Sequence, residues 1–396
     1  MTYKVSTPVG QHRPNVDHCA QRGGMPVTAM AEVVVDLDAI AHNTRLLASL
    51  AGPVMAVVKA GGFGHGAPAV ARTALQCGAT WLGVATAAEA LALRAQGITA
   101  PTLFWLYPPG ETFEDVLQAG VDVSAATLGA LEALADAADR TGTVANVHLK
   151  VDTGMSRGGA IPGEWAELFG WARKYENTGS LRVRGLWTHL ANAEQPHDAG
   201  LRSQLRQFDV ARDAARAHGL EPQILHAGNS AAALQLPEAR FDLVRVGIAL
   251  YGIEPIPGRD FGLRPAMSVR APVVLTKRVP PGTGVSYGPD FHTDRETTLA
   301  LVPLGFADGV PRQSNGHGEF LVRGVRCPVA GRVSMDQVVL DVGDLPVQPG
   351  DEAVMFGPGA DGEPTAGEWA AWAGTNANDI LTGIGERVVR RYRPAR

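Results

Sequence analysis

The sequence predicts an α/β fold, with an N-terminal TIM-type (β/α)8 barrel followed by a mostly β C-terminal domain. Three observations support this prediction. Short apolar runs alternate with longer helical patterns over residues 31–265, and there are eight such runs. After residue 266 the pattern changes to short β-rich runs divided by glycine and proline. We therefore expect a barrel over 31–265, a β-rich domain over 266–396 and a flexible extension over 1–30.

The eight candidate barrel strands are short and rich in apolar residues. The helical stretches between them include GAPAVARTALQCG and TLGALEALADAADRTG. A doubly wound sheet is the alternative architecture, but it usually has fewer strands. The predicted strands cover residues 54–58, 81–85, 102–106, 121–125, 144–151, 181–187, 223–228 and 243–247.

The C-terminal pattern contains β-rich runs such as TTLALVPLG and DEAVMFG, which are typical of a small β domain. The final segments AGEWAAWAG and NDILTGIGERVVRRY are expected to be helical and then extended. No internal repeat or low-complexity linker interrupts the chain.

Composition excludes several classes of function. The chain has 396 residues, 45% hydrophobic and 19% charged, which is typical of a soluble enzyme. A net charge of -5 argues against nucleic-acid binding. We expect no membrane span, because no apolar run is long enough, and the N-terminus does not resemble a signal peptide. Three scattered cysteines indicate neither disulfides nor a metal site, and they fit the cytoplasm.

A single lysine follows the first predicted barrel strand. Lys59 in AVVKAGGFGHG lies at a carboxyl strand end, where barrel enzymes carry their chemistry. Burial would disfavour its charged form, so the neutral amine could attack an aldehyde. The glycines around it would allow a flat ring to approach the backbone. A surface lysine that merely follows a strand is the alternative.

The loops after strands seven and eight are candidates for phosphate binding. Asn229 or Ser230 can cap the helix after HAG, and Gly247 and Ile248 offer further backbone N–H groups. Simple helix capping remains the alternative for either loop alone. Together with Lys59, the two loops indicate pyridoxal 5'-phosphate (PLP), whose aldehyde Lys59 would hold as a Schiff base.

Arg245 lies within the eighth predicted strand and would donate to the pyridine nitrogen of PLP. Because arginine keeps its proton, that nitrogen would stay unprotonated and the ring would be a weaker electron sink. This arrangement favours simple proton exchange. A structural salt bridge is the alternative for Arg245.

A series of motifs then resembles the alanine racemase family, PLP-dependent amino-acid racemases of fold type III. The resemblance extends from about residue 31 to the end of the chain. Its motifs occur in the family's order: AVVKAGGFGHG, KVDTGMSRGG, GLWTHLANAE, HAGNSAA, LVRVGIALYG, GVSYG, PLGFADGVPR and GRVSMDQ.

The resemblance implies a two-base racemase of alanine that works as a head-to-tail homodimer. Racemisation needs an acid–base group on each face of the substrate, and Lys59 and Tyr287 match the family's pair, with Tyr287 supplied by the partner. The phenol of a tyrosine ordinarily has a pKa near 10, so we expect cations around Tyr287 that allow it to act as a base. The resemblance also places His189 near Arg245, where it would orient these groups.

Other residues acquire roles from the same resemblance. Arg157 matches the residue that reaches the cofactor phenolic oxygen and the substrate carboxylate, and the backbone N–H of Met335 matches a second carboxylate contact from the partner. Lys150 matches a lysine that is often carbamylated and braces Arg157; an unmodified lysine is the alternative.

The sequence also departs from the family pattern. Phe63 and Phe306 replace tyrosines, Gly61 replaces an asparagine, and Asn378 replaces a tyrosine that contacts the phosphate and walls the side-chain pocket. Phe63 lacks one phosphate hydrogen bond. Asn378 is smaller and polar, so serine or another polar amino acid is an alternative substrate.

Two further classes compete with the racemase. A PLP amino-acid decarboxylase of the same fold type would typically carry a cysteine opposite the lysine, which the GVSYG motif argues against. A non-catalytic PLP-binding protein would resemble the barrel alone.

Overall fold

The computed structural model describes residues 29–288 and 290–394. The predicted N-terminal extension, residues 1–30, lies almost entirely outside the described residues, and so does Cys19. The strands of the first half of the chain are β1 (Glu32–Asp36), β2 (Val54–Val57), β3 (Ala79–Val84), β4 (Thr102–Phe104), β5 (Asp122–Ala125), β6 (Ala145–Lys150), β7 (Leu181–Trp187), β8 (Ile224–His226) and β9 (Val244–Val246).

Helices alternate with these strands. Four of them follow an Asp or Thr whose side-chain oxygen accepts a backbone N–H three residues later, as the capping preferences of these residues predict. The helices are α1 (Leu37–Ala51), α2 (Lys59–Phe63), α3 (Ala67–Gln76), α4 (Ala87–Ala95), α5 (Glu114–Gln118), α6 (Leu128–Thr141), α7 (Trp165–Thr178), α8 (Ala199–Ala217) and α9 (Ser230–Gln235).

Strands β2 to β9 form one parallel sheet in the order β8-β7-β6-β5-β4-β3-β2-β9. Between its end strands, the Asp242 N–H donates to the Leu225 carbonyl at 3.0 Å and the Arg245 N–H donates to the Gly228 carbonyl at 2.9 Å. The sheet is thus a nearly closed barrel, and all eight predicted barrel strands are confirmed. Every residue of β2 and β5 is buried, as expected for strands with helices outside and a filled interior.

The second half of the chain is mostly strand, as predicted. It contains two further helices, α10 (Ala366–Ala373) and α11 (Ala377–Thr382). Its strands are β10 (Met267–Pro272), β11 (Leu275–Val279), β12 (Thr297–Val302), β13 (Glu319–Val322), β14 (Val325–Pro328), β15 (Val338–Gly343), β16 (Glu352–Phe356) and β17 (Val389–Arg393).

Strand β1 belongs to a sheet of this second half. The six-stranded sheet has the order β14-β13-β16-β10-β1-β17, and a three-stranded sheet has the order β11-β12-β15. Val33 of β1 pairs with Val269 of β10 on one side and with Arg390 of β17 on the other. The range 31–265 that the sequence suggested for the barrel therefore includes one strand of the other sheet.

No helix of residues 29–288 and 290–394 combines the length and the apolar character needed to cross a bilayer.

Candidate active site

Lys59 follows β2 after one residue, Val58, and begins a left-handed turn. Residues 60–64 all have positive φ, between 51° and 79°. The Gly62 N–H donates to the Val58 carbonyl at 2.9 Å, and the Gly64 N–H donates to the Ala60 carbonyl at 3.0 Å. Ala60 and Phe63 are not glycines, and each non-glycine residue in this conformation costs about 1–2 kcal/mol. Backbone strain of this kind persists where the surrounding structure fixes it, which is common at functional sites.

Glu89 of α4 fixes this turn. One carboxylate oxygen accepts the Ala60 N–H at 2.6 Å, and the other accepts the Ala85 N–H at 2.8 Å. Glu89 also completes a capping box with Thr86 at the start of α4. The sequence prediction did not include Glu89, although the T-x-x-E spacing of a capping box is readable in TAAE.

Four cations meet at the carboxyl end of the barrel: Lys59, Lys150, Arg157 and Arg245. Burial and the charge of Arg157 lower the pKa of Lys59, and Glu89 partly opposes them. Burial, Arg157 and Arg245 lower the pKa of Lys150 to about 8. These shifts favour neutral amines at both lysines.

His189 lies beside this cluster. Burial, then the charges of Arg245, Arg157, Lys150 and Lys59 in that order, lower its pKa to about 2. It is therefore neutral. Its Nδ1 lies 3.1 Å from Nη2 of Arg245, and because arginine can only donate, Nδ1 accepts.

Arg245 is buried in β9 among acceptors. Its Nη2 donates to the Thr188 carbonyl at 2.8 Å, and its Nη1 donates to the His226 carbonyl at 2.9 Å. The guanidinium lies 4.7 Å from the ring centroid of Trp187, and Nζ of Lys150 lies 4.6 Å from the same ring. Burial and Arg157 lower the pKa of Arg245 to about 9, which leaves it charged at neutral pH. The predicted salt-bridge alternative is not observed, since no carboxylate pairs with Arg245 among the described residues.

Arg157 lies on an exposed loop after β6. Asp152 holds this loop by accepting the backbone N–H groups of Gly154, Met155 and Ser156 at 2.8, 3.0 and 3.2 Å. The loop carries the Arg157 charge close enough to perturb Lys59, Lys150, His189 and Arg245.

The two candidate phosphate loops meet. Asn229 caps α9 by accepting the Ala232 N–H at 3.1 Å, and Ser230 Oγ accepts the Gly247 N–H at 3.0 Å. Ile248 begins a short 3-10 turn. A Cβ on Gly247 would lie 3.0 Å from Cζ of Phe63, so the glycine allows the Phe63 ring to reach the loop.

Asn378 lies on a helix that contacts the Lys59 turn. It is exposed on α11, and this helix packs against α2, where a Cβ on Gly64 would lie 2.4 Å from the Leu381 carbonyl oxygen. The turn thus contacts a phosphate loop through Phe63 and the helix that carries Asn378 through Gly64.

Tyr287 and Met335 lie apart from the cation cluster. Their side chains are 71% and 56% exposed, and no hydrogen bond, ion pair or ring contact among the described residues joins them to the barrel groups. Tyr287 follows Ser286, whose φ is +66° and whose Oγ donates to the Arg332 carbonyl at 2.6 Å. The Met335 loop is held by Arg387, whose Nη2 lies 2.7 Å from an Asp336 oxygen.

The two halves of the chain match the profiles of known domains. Residues 35–255 match "Alanine racemase, N-terminal domain", and residues 266–392 match "Alanine racemase, C-terminal domain". The chain belongs to the alanine racemase family. It is 50% identical to the alanine racemase of Thermobifida fusca over 369 residues, which are 92% of this chain and 99% of that protein.

Solved structures of alanine racemases have the same fold. That of the Streptomyces lavendulae alanine racemase has a TM-score of 0.91 at 45% identity, with 93% of this chain and 98% of that chain covered. The Bartonella henselae alanine racemase, described with covalently bound pyridoxal phosphate, has a TM-score of 0.82 at 29% identity, with 92% and 100% covered.

The alanine racemase family is PLP-dependent, and the residues of this site fit PLP. Lys59 offers an amine with a lowered pKa. Arg157 and Arg245 are cations that have no carboxylate partner among the described residues. Gly247 offers a backbone surface without a Cβ. PLP is the cofactor of this protein. The sequence prediction missed Glu89, Trp187 and His226. The capping-box spacing was a signal for Glu89, whereas no pattern in the sequence assigns Trp187 or His226 a task.

Proposed function

We propose that the protein interconverts L- and D-alanine by exchanging the α-proton between Lys59 and Tyr287. The observation that carries this proposal is the Lys59 amine, whose pKa is lowered at the carboxyl end of the barrel beside Arg157 and Arg245. The family membership of the whole chain supports the same reaction. PLP, when bound, acidifies the α-hydrogen of the amino acid attached to it.

Each residue has a distinct task in this proposal. Nζ of Lys59 takes or returns the proton on one face of Cα, and Oη of Tyr287 does so on the other. By resemblance to the family, Lys59 removes the proton from D-alanine and Tyr287 from L-alanine. Arg157 and the backbone N–H of Met335 orient the carboxylate, while Arg245 donates to the ring nitrogen and neutral His189 accepts from Arg245.

The phosphate would be held by the loops after β8 and β9. Ser230 Oγ already accepts the N–H groups of Gly247 and Ala249 there, Ile248 lies between these two residues, Asn229 caps α9, and Phe63 lies against Gly247. The N–H that Gly247 gives to Ser230 Oγ would turn to a phosphate oxygen.

The two bases come from different protomers of a homodimer. The exposure of Tyr287 and Met335, and their separation from Lys59 within one chain, support this arrangement. We further propose that residues 31–265 and 266–396 are the two domains, with β1 as the shared strand. The enzyme acts in the cytoplasm as a source of D-alanine.

Lys150 is proposed to carry a carbamate. Its amine, with a pKa of about 8, is largely neutral in mildly alkaline solution, as the addition of carbon dioxide requires. The N–C bond forms, a proton is released, and the anionic product lies beside Arg157. Mass spectrometry of the native protein with and without bicarbonate tests this modification.

Chiral chromatography of L-alanine and D-alanine incubated with the PLP-loaded protein tests the main proposal. Lys59→Arg keeps a cation but cannot hold the cofactor aldehyde, so we expect loss of both racemisation and the visible absorbance of lysine-bound cofactor. Racemisation by Lys59→Arg at the wild-type rate, or release of carbon dioxide in place of the enantiomer, contradicts it.

Serine is a second candidate substrate because of Asn378. The side chain is exposed on α11, which packs against the Lys59 turn, and its amide can donate to and accept from a hydroxyl. We expect the ratio of kcat/KM for serine to that for alanine to fall in Asn378→Tyr. An unchanged ratio removes this candidate.

A further inference from the structure

A chain of side-chain hydrogen bonds crosses the barrel interior from Arg245 to Asp122. Nη1 of Arg245 lies 3.2 Å from Nδ1 of His226, and Nε2 of His226 lies 2.8 Å from Nδ1 of His148. Nε2 of His148 lies 3.1 Å from Oδ2 of Asp122. All four residues are buried, and none of the last three has a task in the proposed reaction.

The two ends of this chain fix the direction of every bond in it. Arginine can only donate and a carboxylate can only accept. Nδ1 of His226 therefore accepts, so its single proton is on Nε2 and is donated to His148. His148 in turn accepts at Nδ1 and donates from Nε2 to Asp122. Each ring carries one proton, on Nε2.

The fold makes room for this contact. Strand β7 lies between β6, which carries His148, and β8, which carries His226. At the crossing point β7 has Gly185, where a Cβ would lie 2.2 Å from Nδ1 of His148. Any larger residue at 185 would occupy the position of the acceptor.

Asp122 ends the hydrogen-bonded chain with a carboxylate. It is the first residue of β5, at the opposite end of the barrel, where Arg184 donates to it at 3.1 Å from a half-buried position. Burying a cation without a counter-charge is costly, and a hydrogen-bonded chain in a low-dielectric interior strengthens each member.

We propose that Asp122 and His148 are positioning residues that, through His226, set the orientation and charge of Arg245 for the racemase reaction. This inference rests on the proposed task of Arg245 at the cofactor. It requires no contact between Asp122 or His148 and the substrate.

Histidine-labelled PLP-bound protein tests the direction of the chain by 15N NMR. We expect His148 and His226 to carry their protons on Nε2, and Asp122→Asn to shift the resonances of both rings. Protons on Nδ1 of either ring, or a His226 signal unmoved by Asp122→Asn, would overturn the inference. This readout is independent of activity.

Kinetics test the consequence for the reaction. Carboxylates that orient histidines in metal sites change activity by about 10- to 100-fold when replaced. We expect Asp122→Asn and Gly185→Ala each to lower kcat about tenfold while KM for alanine stays within about twofold. Tyr107→Phe is the matched control, because it removes another β5 hydrogen bond, 2.7 Å to the Ser124 carbonyl, that lies off the chain.

The outcomes separate the two proposals. Wild-type protein that binds PLP but does not racemise alanine refutes the proposed function, and the NMR result then decides the inference alone. Active wild-type protein with unchanged kcat in both variants overturns the inference and leaves the function standing. An equal loss in Tyr107→Phe assigns the effect to general destabilisation and also overturns it.

Discussion

At the residue scale, Phe63 stands where the resemblance to the family leads us to expect a tyrosine. Its ring stacks on Tyr251 with centroids 4.6 Å apart, and its Cζ points at Gly247 in the candidate phosphate loop. A tyrosine here would carry its hydroxyl on that same atom. If the resemblance holds at this position, Phe63 keeps the ring and lacks one donor to the phosphate.

Phe63→Tyr is expected to tighten PLP binding. A hydrogen bond to a charged group contributes about 1.5–3 kcal/mol, which corresponds to roughly tenfold or more in the dissociation constant. Titration of the cofactor-free protein with PLP measures the change. Phe306→Tyr, at an exposed ring in the other half of the chain, is the control and should leave the constant unchanged.

Two buried imidazoles make stability depend on pH. Burial lowers the pKa of His65 to about 4, and burial together with Arg245 and His148 lowers the pKa of His226 well below its usual value. The unfolded chain then binds more protons than the folded protein below about pH 6.5, so this contribution is complete above that pH and is lost as the pH falls.

Urea unfolding at about pH 7.5 and pH 5.5 measures this loss. Each imidazole should remove about 1.4 kcal/mol at the lower pH. His65→Asn keeps a donor for the Phe63 carbonyl, which Nδ1 of His65 contacts at 2.9 Å, and cannot titrate. Its pH dependence should be shallower than that of the wild type, and equal slopes would contradict the prediction.

Sequence reasoning at this scale identifies the charged residues but not their partners. A motif identifies each of Lys59, Lys150, Arg157, His189 and Arg245. The fold places the four cations close enough to His189 for their charges to lower its pKa. No motif identifies the contact of Glu89 with the Lys59 turn or the His226–His148–Asp122 chain, because each joins different strands or helices and leaves no local spacing. The expected tasks of Tyr287 and Met335 stay predictions.

At the element scale, the left-handed turn after β2 packs against α11. Gly61 has φ +62°, and a Cβ at this position would meet nothing within 4 Å, whereas Gly64 has φ +79° and faces the Leu381 carbonyl of α11. A side chain at position 61 would therefore point into open space, whereas a side chain at position 64 would collide with the Leu381 carbonyl.

Substitution at these two glycines should have opposite consequences. Gly61→Asn should be neutral or stabilising by up to about 1 kcal/mol, because asparagine tolerates this conformation and constrains the unfolded chain. Gly64→Ala should cost roughly 3 kcal/mol or more and lower kcat as α11 moves away. Thermal unfolding and racemase assays compare them, and similar losses in both variants would contradict the packing argument.

The eight barrel strands were predictable because each is a buried apolar run between helical patterns. Strand β1, with the sequence EVVVD, is equally apolar, but its partners β10 and β17 begin 235 and 357 residues further along. No local pattern reveals pairing over such separations, so the sequence predicted neither this strand nor its sheet.

At the scale of the whole molecule, the residues proposed for the site fall into two groups that no hydrogen bond, ion pair or ring contact joins among the described residues of the chain. The cation cluster lies at the end of the barrel, while Tyr287 and Met335 are exposed on the other half. A closed two-fold dimer would bring each half against the opposite half of its mate and complete two equivalent sites.

Mixing two inactive variants tests this arrangement. In a heterodimer of Lys59→Ala and Tyr287→Phe, one site carries both defects and the other carries neither. After subunit exchange half of the dimers are mixed, so about one quarter of wild-type activity should return. Each variant alone is the control. Failure to recover activity, with mixed dimers confirmed by mass spectrometry, would assign both bases to one chain.

The position of β1 has a consequence for how the chain matures on the ribosome. Synthesis proceeds from the N-terminus, so the barrel strands can associate while the second half is still being made. In contrast, β1 cannot pair with β10 until residue 267 and those after it have been synthesised, and it cannot pair with β17 until synthesis has passed residue 389. If synthesis stalled after the barrel, the valine-rich strand β1 would be exposed with both edges unpaired. A chaperone would be needed at this segment.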